Sequence, residues 1–262
     1  MKIIVCVKQV LDTAAKIRIK DGKVETEGIP RILNPYDEYA VEEAIRIKEK
    51  RADTEVALIS VGPESFRDVL RTGLAMGADR ATLLMDDAFA GLDNFGIAQV
   101  LAKAIQSMSY DLILCGRQAV DDDMAQVGPA LAVTLKIPYI SVVTRLTLAE
   151  DGKQAEVTRQ IEGGSEILEA PLPLALTCQK GLNEPRLPSL KGIIAAKKKP
   201  VETLDAQAIG FDPAAVGAES VRIKASALSL PPERGKGIML EGSAQESAAR
   251  LVKILREEIK VI

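Results

Sequence analysis

The stretch "YDLILCGRQAVDDDMAQVGP", residues 110–129, decides the fold. It opens with a short, nearly all-apolar run, the mark of a strand buried on both faces. It passes through a polar turn and enters a segment whose Gly128, Leu131, Ala132 and Leu135 repeat at helical spacing. Strand, loop, helix is the βα half of a βαβ unit, and the crevice at such a strand end is where α/β proteins bind ligands. The loop holds three consecutive aspartates, Asp121, Asp122 and Asp123, at a place physically suited to an anion. The helix is expected to begin within that run. Three readings of the aspartates fit: they cap the helix, they bind Mg²⁺, or they wall a phosphate site whose contacts come from the backbone.

The same alternation runs outward in both directions. Before the stretch lie strand-like "KIIVCVK" (2–8), "EVALISVG" (55–62) and "RATLLMD" (80–86); "PYISVV" (138–143) follows it. Helical runs separate them. In "NPYDEYAVEEAIRIKEK" (34–50), Asn34 is expected to cap and Pro35 to occupy the first turn. In residues 63–80, Pro63 opens a helix and Gly77 closes it. "DNFGIAQVLAKAIQSM" (93–108) turns Ile97, Val100, Leu101, Ala104 and Ile105 to one side. The pattern is an α/β, mostly parallel twisted sheet with helices on both faces. Asp21-Gly22, between alternating runs, signals a hairpin.

Beyond about residue 145 the pattern changes. Residues 145–170 read as three strands turning at Asp151-Gly152 and Gly163-Gly164, an antiparallel extension. "PLPLALTCQ" (171–179) is another buried strand, and a helix begins near Pro188 and stops at Pro200. Residues 201–240 show weak periodicity and read as an extended arm. An amphipathic helix follows, with Ala248, Leu251, Val252, Leu255 and Ile259 on one face. The organisation is a nucleotide-binding α/β domain over 1–200 and a C-terminal arm and helix over 201–262. The arm either grips a partner or folds back on the chain's own sheet.

Composition excludes several chemistries. The chain of 262 residues has no histidine, which removes Ser-His-Asp and Cys-His catalysis. Cys6, Cys115 and Cys178 show no CxxC spacing and read as buried small hydrophobes. A net charge of −3, 3% aromatics and no tryptophan argue against a nucleic-acid surface. No apolar run reaches the ~18 residues of a membrane span, and the N-terminal run reads as a first strand. The expected location is cytoplasmic, without membrane insertion. There is no GxGxxG and no GxxxxGK[ST]. In "GLNEPRLPSLKG" (181–192), Pro185 holds Glu184 extended. Its Leu182 and Leu187 either tuck into the core or protrude toward a partner, with Leu182 as the anchor.

Together "VCVKQVLDTAAKIRI" (5–19), "NPYDEYAVEEAIRIKEK" (34–50), "LRTGLAMGADRA" (70–81), "GRQAVDDDMAQVGP" (116–129) and above all "LNEPRLPSLKGIIAAKKKP" (182–200) resemble one family. It is the β subunit of electron transfer flavoprotein, and the resemblance covers nearly the whole chain. It implies an electron carrier subunit, not an enzyme, on an adenine nucleotide α-hydrolase-like fold. Its implied partner is a larger α subunit that holds the redox-active FAD. The β subunit of conventional members binds AMP structurally. Electrons come from acyl-CoA dehydrogenase-type flavoenzymes and pass to a membrane quinone oxidoreductase.

Carried over by position, AMP would contact Cys6, Asn34, Pro35, Tyr36, Asp37 and Val61, where family residues are Ala in place of Cys6 and Cys in place of Val61. It would also contact Asp121, Asp122, Asp123, Met124, Ala125, Gln126, Val127, Gly128, Pro129, Ala130, Leu131 and Ala132. The partner-recognition loop would be 179–188, with Leu182, Asn183, Glu184, Pro185 and Arg186, and Glu166 would approach the α-subunit flavin. Electron-bifurcating members instead bind a second FAD here, serve NADH oxidation, and read Asp-Gly-Asp-Thr where this chain has Asp121-Asp122-Asp123-Met124. Glycine permits the close backbone approach a diphosphate needs, so Asp122 favours AMP, although "AQVGP" (125–129) is similar to the bifurcating branch. A reading of another class is a stand-alone adenine-nucleotide-binding protein.

Overall fold

The computed structural model describes residues 1–212, 221–232 and 237–262; the parts of the expected arm at 213–220 and 233–236 lie outside the described residues. The chain divides into one unit of residues 1–17 and 25–226 and a second of residues 18–24 and 227–262.

The first unit is built on a nine-stranded sheet. Its core is five parallel strands whose side chains are buried on both faces: β1 (Lys2–Cys6), β6 (Glu55–Val61), β7 (Arg80–Leu84), β8 (Leu112–Gly116) and β12 (Leu174–Cys178). Short pairs precede β6: β2 (Gln9–Leu11) with β5 (Arg31–Leu33), both in this unit. β9 (Tyr139–Leu148), β10 (Gln154–Ile161) and β11 (Gly164–Pro171) form the antiparallel extension at one edge. The two segments expected as separate strands, 138–143 and 145 onward, are one strand, β9. Val142 takes a left-handed conformation there, φ 58°, and the pairing with both neighbours slips beside it. β13 (Val201–Leu204) corrects the expected arm: it pairs in parallel with β7.

Helices α1 (Pro35–Lys50), α2 (Arg67–Met76), α3 (Asn94–Ile105), α4 (Val127–Leu135) and α5 (Leu190–Lys198) cover the sheet. One apolar layer joins α1 and α2 to one face through Val41, Ala44, Leu70 and Leu74. The other joins α3 and α4 to the opposite face through Val100, Leu101, Leu131 and Ala132. Each fully buried leucine or isoleucine contributes about 1.5–3 kcal/mol relative to exposure, so these layers fix which face each helix takes. Gly77 ends α2 at φ 141°, a conformation a side chain would strain. Ser189 caps α5 by accepting from the Gly192 N–H. Residues 222 and 223 of the expected arm also contact this unit: Asp93, the cap of α3, accepts from the N–H groups of Arg222 and Ile223, and the Arg222 guanidinium lies 4.1 Å from the centre of the Phe95 ring.

The second unit contains the hairpin β3 (Ile19–Lys20) and β4 (Lys23–Val24), turned by Asp21-Gly22 as expected, both at positive φ. It also contains α6 (Ala244–Lys253), whose start is closed by the Ser243/Glu246 capping box. Leu251, Val252 and Ile259 of this terminal segment are exposed.

The strand order is β11-β10-β9-β12-β8-β1-β6-β7-β13. From β1 the chain builds outward through β6 and β7, then returns to place β8 on the other side of β1. The crossover connections therefore diverge between β1 and β8, and a crevice opens at their carboxyl ends.

Candidate functional site

A cavity of about 1000 Å³ occupies that crevice. Its floor is the strand ends: Cys6, Val7 and Lys8 at the end of β1, Ile59 to Gly62 at the end of β6, Met85 and Asp86 after β7, and Cys115 and Gly116 of β8. Asn34 and Asp37 form one wall, Phe89 to Leu92 and Asn94 another, and Gln118, Ala119, Asp122 and Ala125 to Gly128 a third.

The Asn34–Asp37 wall is rigid for a reason invisible locally. The carboxylate of Asp37 accepts from the Lys8 N–H at 2.7 Å, from Asn34 Nδ2 at 2.9 Å and from the Gly116 N–H at 3.1 Å. It thereby ties α1 to the ends of the two strands flanking the crevice. A Cβ at Gly116 would sit 2.2 Å from Asp37 Oδ1, so glycine is required by close approach. Burial pushes the Asp37 carboxyl up to about 7, against the lowering effect of these three donors.

Asn34 does not cap α1 with its side chain, contrary to expectation. Its amide spans the crevice instead: Nδ2 also donates to the Gln118 carbonyl at 2.9 Å, and Oδ1 accepts from the Val120 N–H at 3.2 Å. Because the amide itself is buried (Asn34 is 1% exposed), its long-range partners outcompete the local cap.

The aspartate run is likewise not helical. α4 begins at Val127, after Gln126, and no side chain caps it. Asp121 and Asp122 turn to Lys8, whose Nζ lies 2.7 Å and 3.3 Å from them. Asp122 also accepts from the Met124 N–H, and Asp123 accepts from Gln118 Nε2 at 2.6 Å. The three carboxylates therefore do not converge on one point. Asp123 and Ala125 both lie in the left-handed region, φ 52° and 53°, which folds the loop tightly and delivers Gln126, Val127 and Gly128 to the cavity. The uncapped first turn of α4 faces it, and such a turn carries free N–H groups and the positive dipole end.

Of the expected contacts, Cys6, Asn34, Asp37, Val61, Asp122, Ala125, Gln126, Val127 and Gly128 line the cavity. Pro35 and Tyr36 stand behind it, in the turn that packs on Gly116. Asp121, Asp123 and Met124 are exposed on the outer side of the loop; Pro129 and Ala130 follow in α4, while Leu131 and Ala132 are core residues of the α3–α4 layer. Sequence reasoning missed Lys8, Gly62, Gly116 and the wall from Asp86 to Leu92. All lie at or just after strand ends, the signal that could have found them. The thiols of Cys6 and Cys115, side by side across β1 and β8, are buried; their mutual contact, then burial, pushes the Cys6 thiol up.

The loop expected to meet a partner lies elsewhere, between β12 and α5. Leu182 is half-buried and packs against the core, Asn183 is buried, and Arg186 turns inward onto α1. Glu184 is exposed and Pro185 half-buried. Leu187 and Leu190 stand out, 90% and 75% exposed. Glu166, on the edge strand β11, is exposed and paired with Arg159 at 2.9 Å.

Residues 21–209 match the family model described as "Electron transfer flavoprotein domain". The chain is 43% identical, over the whole of both chains, to the electron transfer flavoprotein subunit beta of Bacillus subtilis (strain 168). It is 42% identical to the protein of the same name from Syntrophomonas wolfei subsp. wolfei, over all of this chain and 98% of the relative. It is also 42% identical to the caffeyl-CoA reductase-Etf complex subunit CarD of Acetobacterium woodii, over 98% of this chain and 99% of the relative.

Proposed function

The chain belongs to the electron transfer flavoprotein β-subunit family, and on that premise we propose that its crevice binds AMP as a structural nucleotide. It is an electron-transfer subunit that forms a heterodimer with an α subunit. In this reading the α subunit carries the redox-active FAD. Electrons arrive from acyl-CoA dehydrogenase-type flavoenzymes and leave to a membrane quinone oxidoreductase, with the heterodimer in the cytoplasm. No helix among the described residues is long and apolar enough to cross a membrane.

The observation that carries the AMP reading is the seat of Asp122. Asp122 lines the cavity, and its carboxylate is held by Lys8 and by the Met124 N–H. A phosphate set against the first turn of α4 finds backbone donors and the helix dipole. A second phosphate reaching past it toward Asp122 meets two carboxylates, Asp121 and Asp122, whose charge the single Lys8 ammonium only partly offsets. The flavin supplies the redox chemistry when bound to the α subunit; this chain's residues hold the nucleotide that braces the assembly.

A second reading, a bifurcating subunit with its own FAD, is favoured by cavity size. About 1000 Å³ lies at the upper end of the ~300–1,000 Å³ range of small-ligand sites, with Asp86, Asp87 and Phe89 to Leu92 adding to its lining.

Mass spectrometry of the denatured heterodimer, with flavin absorbance, separates the two. One flavin per heterodimer with AMP released supports the first; two flavins and no AMP replaces it with the second.

A further inference from the structure

The floor of the crevice carries two thiols that nucleotide binding does not call for. Cys6 ends β1, Cys115 lies in β8, and the two are direct partners across this parallel pair. Directly opposed residues of neighbouring strands point their side chains to the same face of a sheet. Here that face is the one covered by α3 and α4: both cysteines belong to the apolar layer of Leu101 and Leu131. Both also line the cavity, beside Leu101 of α3 and Val127 of α4. Cys6 is 7% exposed and Cys115 6%, and the cavity is the route to them. The third thiol, Cys178, is fully buried in the opposite layer.

This placement selects the chemistry. Contact with Cys115, then burial, then the charges of Cys115 and Asp37, push the Cys6 thiol up and keep it protonated. Peroxides react with the thiolate, so oxidation here is slow. A direct S–S bond also fits poorly. Adjacent strands lie about 4.8 Å apart, and parallel side chains keep their Cβ atoms near that spacing, outside the roughly 3.5–4.5 Å a disulfide spans. The strands are held at this spacing by the ladder from Ile3 to Cys6 and by Asp37, which accepts from both the Lys8 and Gly116 N–H groups. One atom set between the two sulfurs spans the gap without moving either strand. Sulfur ligands favour a soft centre. A four-coordinate ion is not served, because among the described residues no three His, Cys, Asp or Glu side chains gather as a metal-holding group.

We propose that Cys6 and Cys115 form a two-sulfur site for trivalent arsenic on the cavity floor. An arsenoso compound R–As=O and the two thiols give R–As bonded to both sulfurs, plus one water. Two As–S bonds replace the As=O bond, both thiol protons leave in the water, and arsenic stays trivalent, so no oxidant or reductant is needed. The bridge stands beneath whatever fills the crevice, so arsenical and crevice ligand exclude each other. That exclusion, unlike the bridge itself, rests on the reading that AMP occupies the crevice.

The test treats the heterodimer, dialysed free of nucleotide, with phenylarsine oxide. Excess reagent is removed, and the denatured β chain is read by mass spectrometry and peptide mapping. The expected product carries one phenylarsenic unit in place of two thiol hydrogens, joining the Cys6 and Cys115 peptides. A dithiol should release it and a monothiol should not. Cys6→Ala and Cys115→Ala should each abolish it, and Cys178→Ala should leave it intact. Should Cys6→Ala fail to fold, Cys6→Ser keeps the side-chain volume and should also abolish it. No adduct on the wild-type chain, or a dithiol-reversible adduct that survives in either of the first two variants, overturns the proposal. Equilibrium dialysis first measures AMP binding to the untreated heterodimer. With AMP about tenfold above its Kd, only the empty fraction reacts, and the rate should fall roughly tenfold. An unchanged rate while AMP is bound overturns the placing of the bridge on the cavity floor. If AMP does not bind, the nucleotide reading fails and the adduct alone decides the bridge.

Discussion

The Lys8 ammonium lies 2.7 Å from Asp121 Oδ1, latching the exit of β1 to the aspartate loop across the mouth of the cavity. Lys8 and Arg117 are the two basic residues that line the cavity. Lys8→Gln is expected to weaken AMP retention several-fold and to free the loop. Both partners are partly exposed, so the effect should shrink as salt rises. Equilibrium dialysis of AMP at low and high salt checks this; a salt-independent loss would point to packing instead.

Asp122 is expected to set nucleotide choice. Asp122→Gly removes the charge facing a second phosphate and restores close backbone approach. The ratio of FAD to AMP recovered from this subunit should rise. An unchanged ratio in the denatured heterodimer would show that selection lies elsewhere in the cavity.

Gly116→Ala is expected to be severe. The added Cβ would meet Asp37 Oδ1 at 2.2 Å, the Tyr36 carbonyl carbon at 2.7 Å and the Asp37 nitrogen at 2.8 Å. Backbone on β8 and α1 must separate, breaking the Gly116 N–H bond to Asp37 and disturbing the carboxylate's seat. A loss of about 2–4 kcal/mol follows from overpacking plus lost buried hydrogen bonds, read by urea denaturation, with bound AMP lost first.

Asp37 makes stability depend on pH. Its folded value of about 7 lies above the ordinary 3.8 because the carboxylate is desolvated. Between these values the native state holds a proton that the unfolded chain has released. The contribution is therefore complete below about pH 4 and is lost as pH rises to about 7. Denaturation from about pH 5 to about pH 8 should show stability falling and then levelling off. The Asp37 carboxyl carbon resonance should titrate in the same window.

Leu182 and Leu190 should separate packing from contact. Leu182→Ala is expected to cost about 1–2 kcal/mol, less than a fully buried leucine because the site is half-open, with donor KM little changed. Leu190→Ser should leave Tm nearly unchanged. Thermal melts beside the dehydrogenase assay decide between them.

Several features are legible in the sequence alone. Alternating apolar and helical runs imply a mostly parallel α/β sheet. Asp21-Gly22 reads as a hairpin and Gly77 as a helix stop, because turn and cap preferences act over a few residues. The resemblance carried by residues 182–200 pointed to the family. Local chemistry also misled: Asn34 is a good cap by type, and three aspartates beside a helix suggest a helix start.

What tertiary structure decided is which distant groups meet. Asp37 and Gly116 are 79 residues apart, Lys8 and Asp121 113, and Arg186 and Glu42 144. No periodicity encodes such pairs. They arise because the chain reverses its direction of build between β1 and β8, bringing separate strand ends to one crevice. Inside it, buried donors and acceptors must find partners wherever the fold supplies them. That need turned Asn34 from a cap into a bridge and the aspartates from a cap into a latch. At the far end of α1 it drew Arg186 inward and left Leu187 and Leu190 facing solvent.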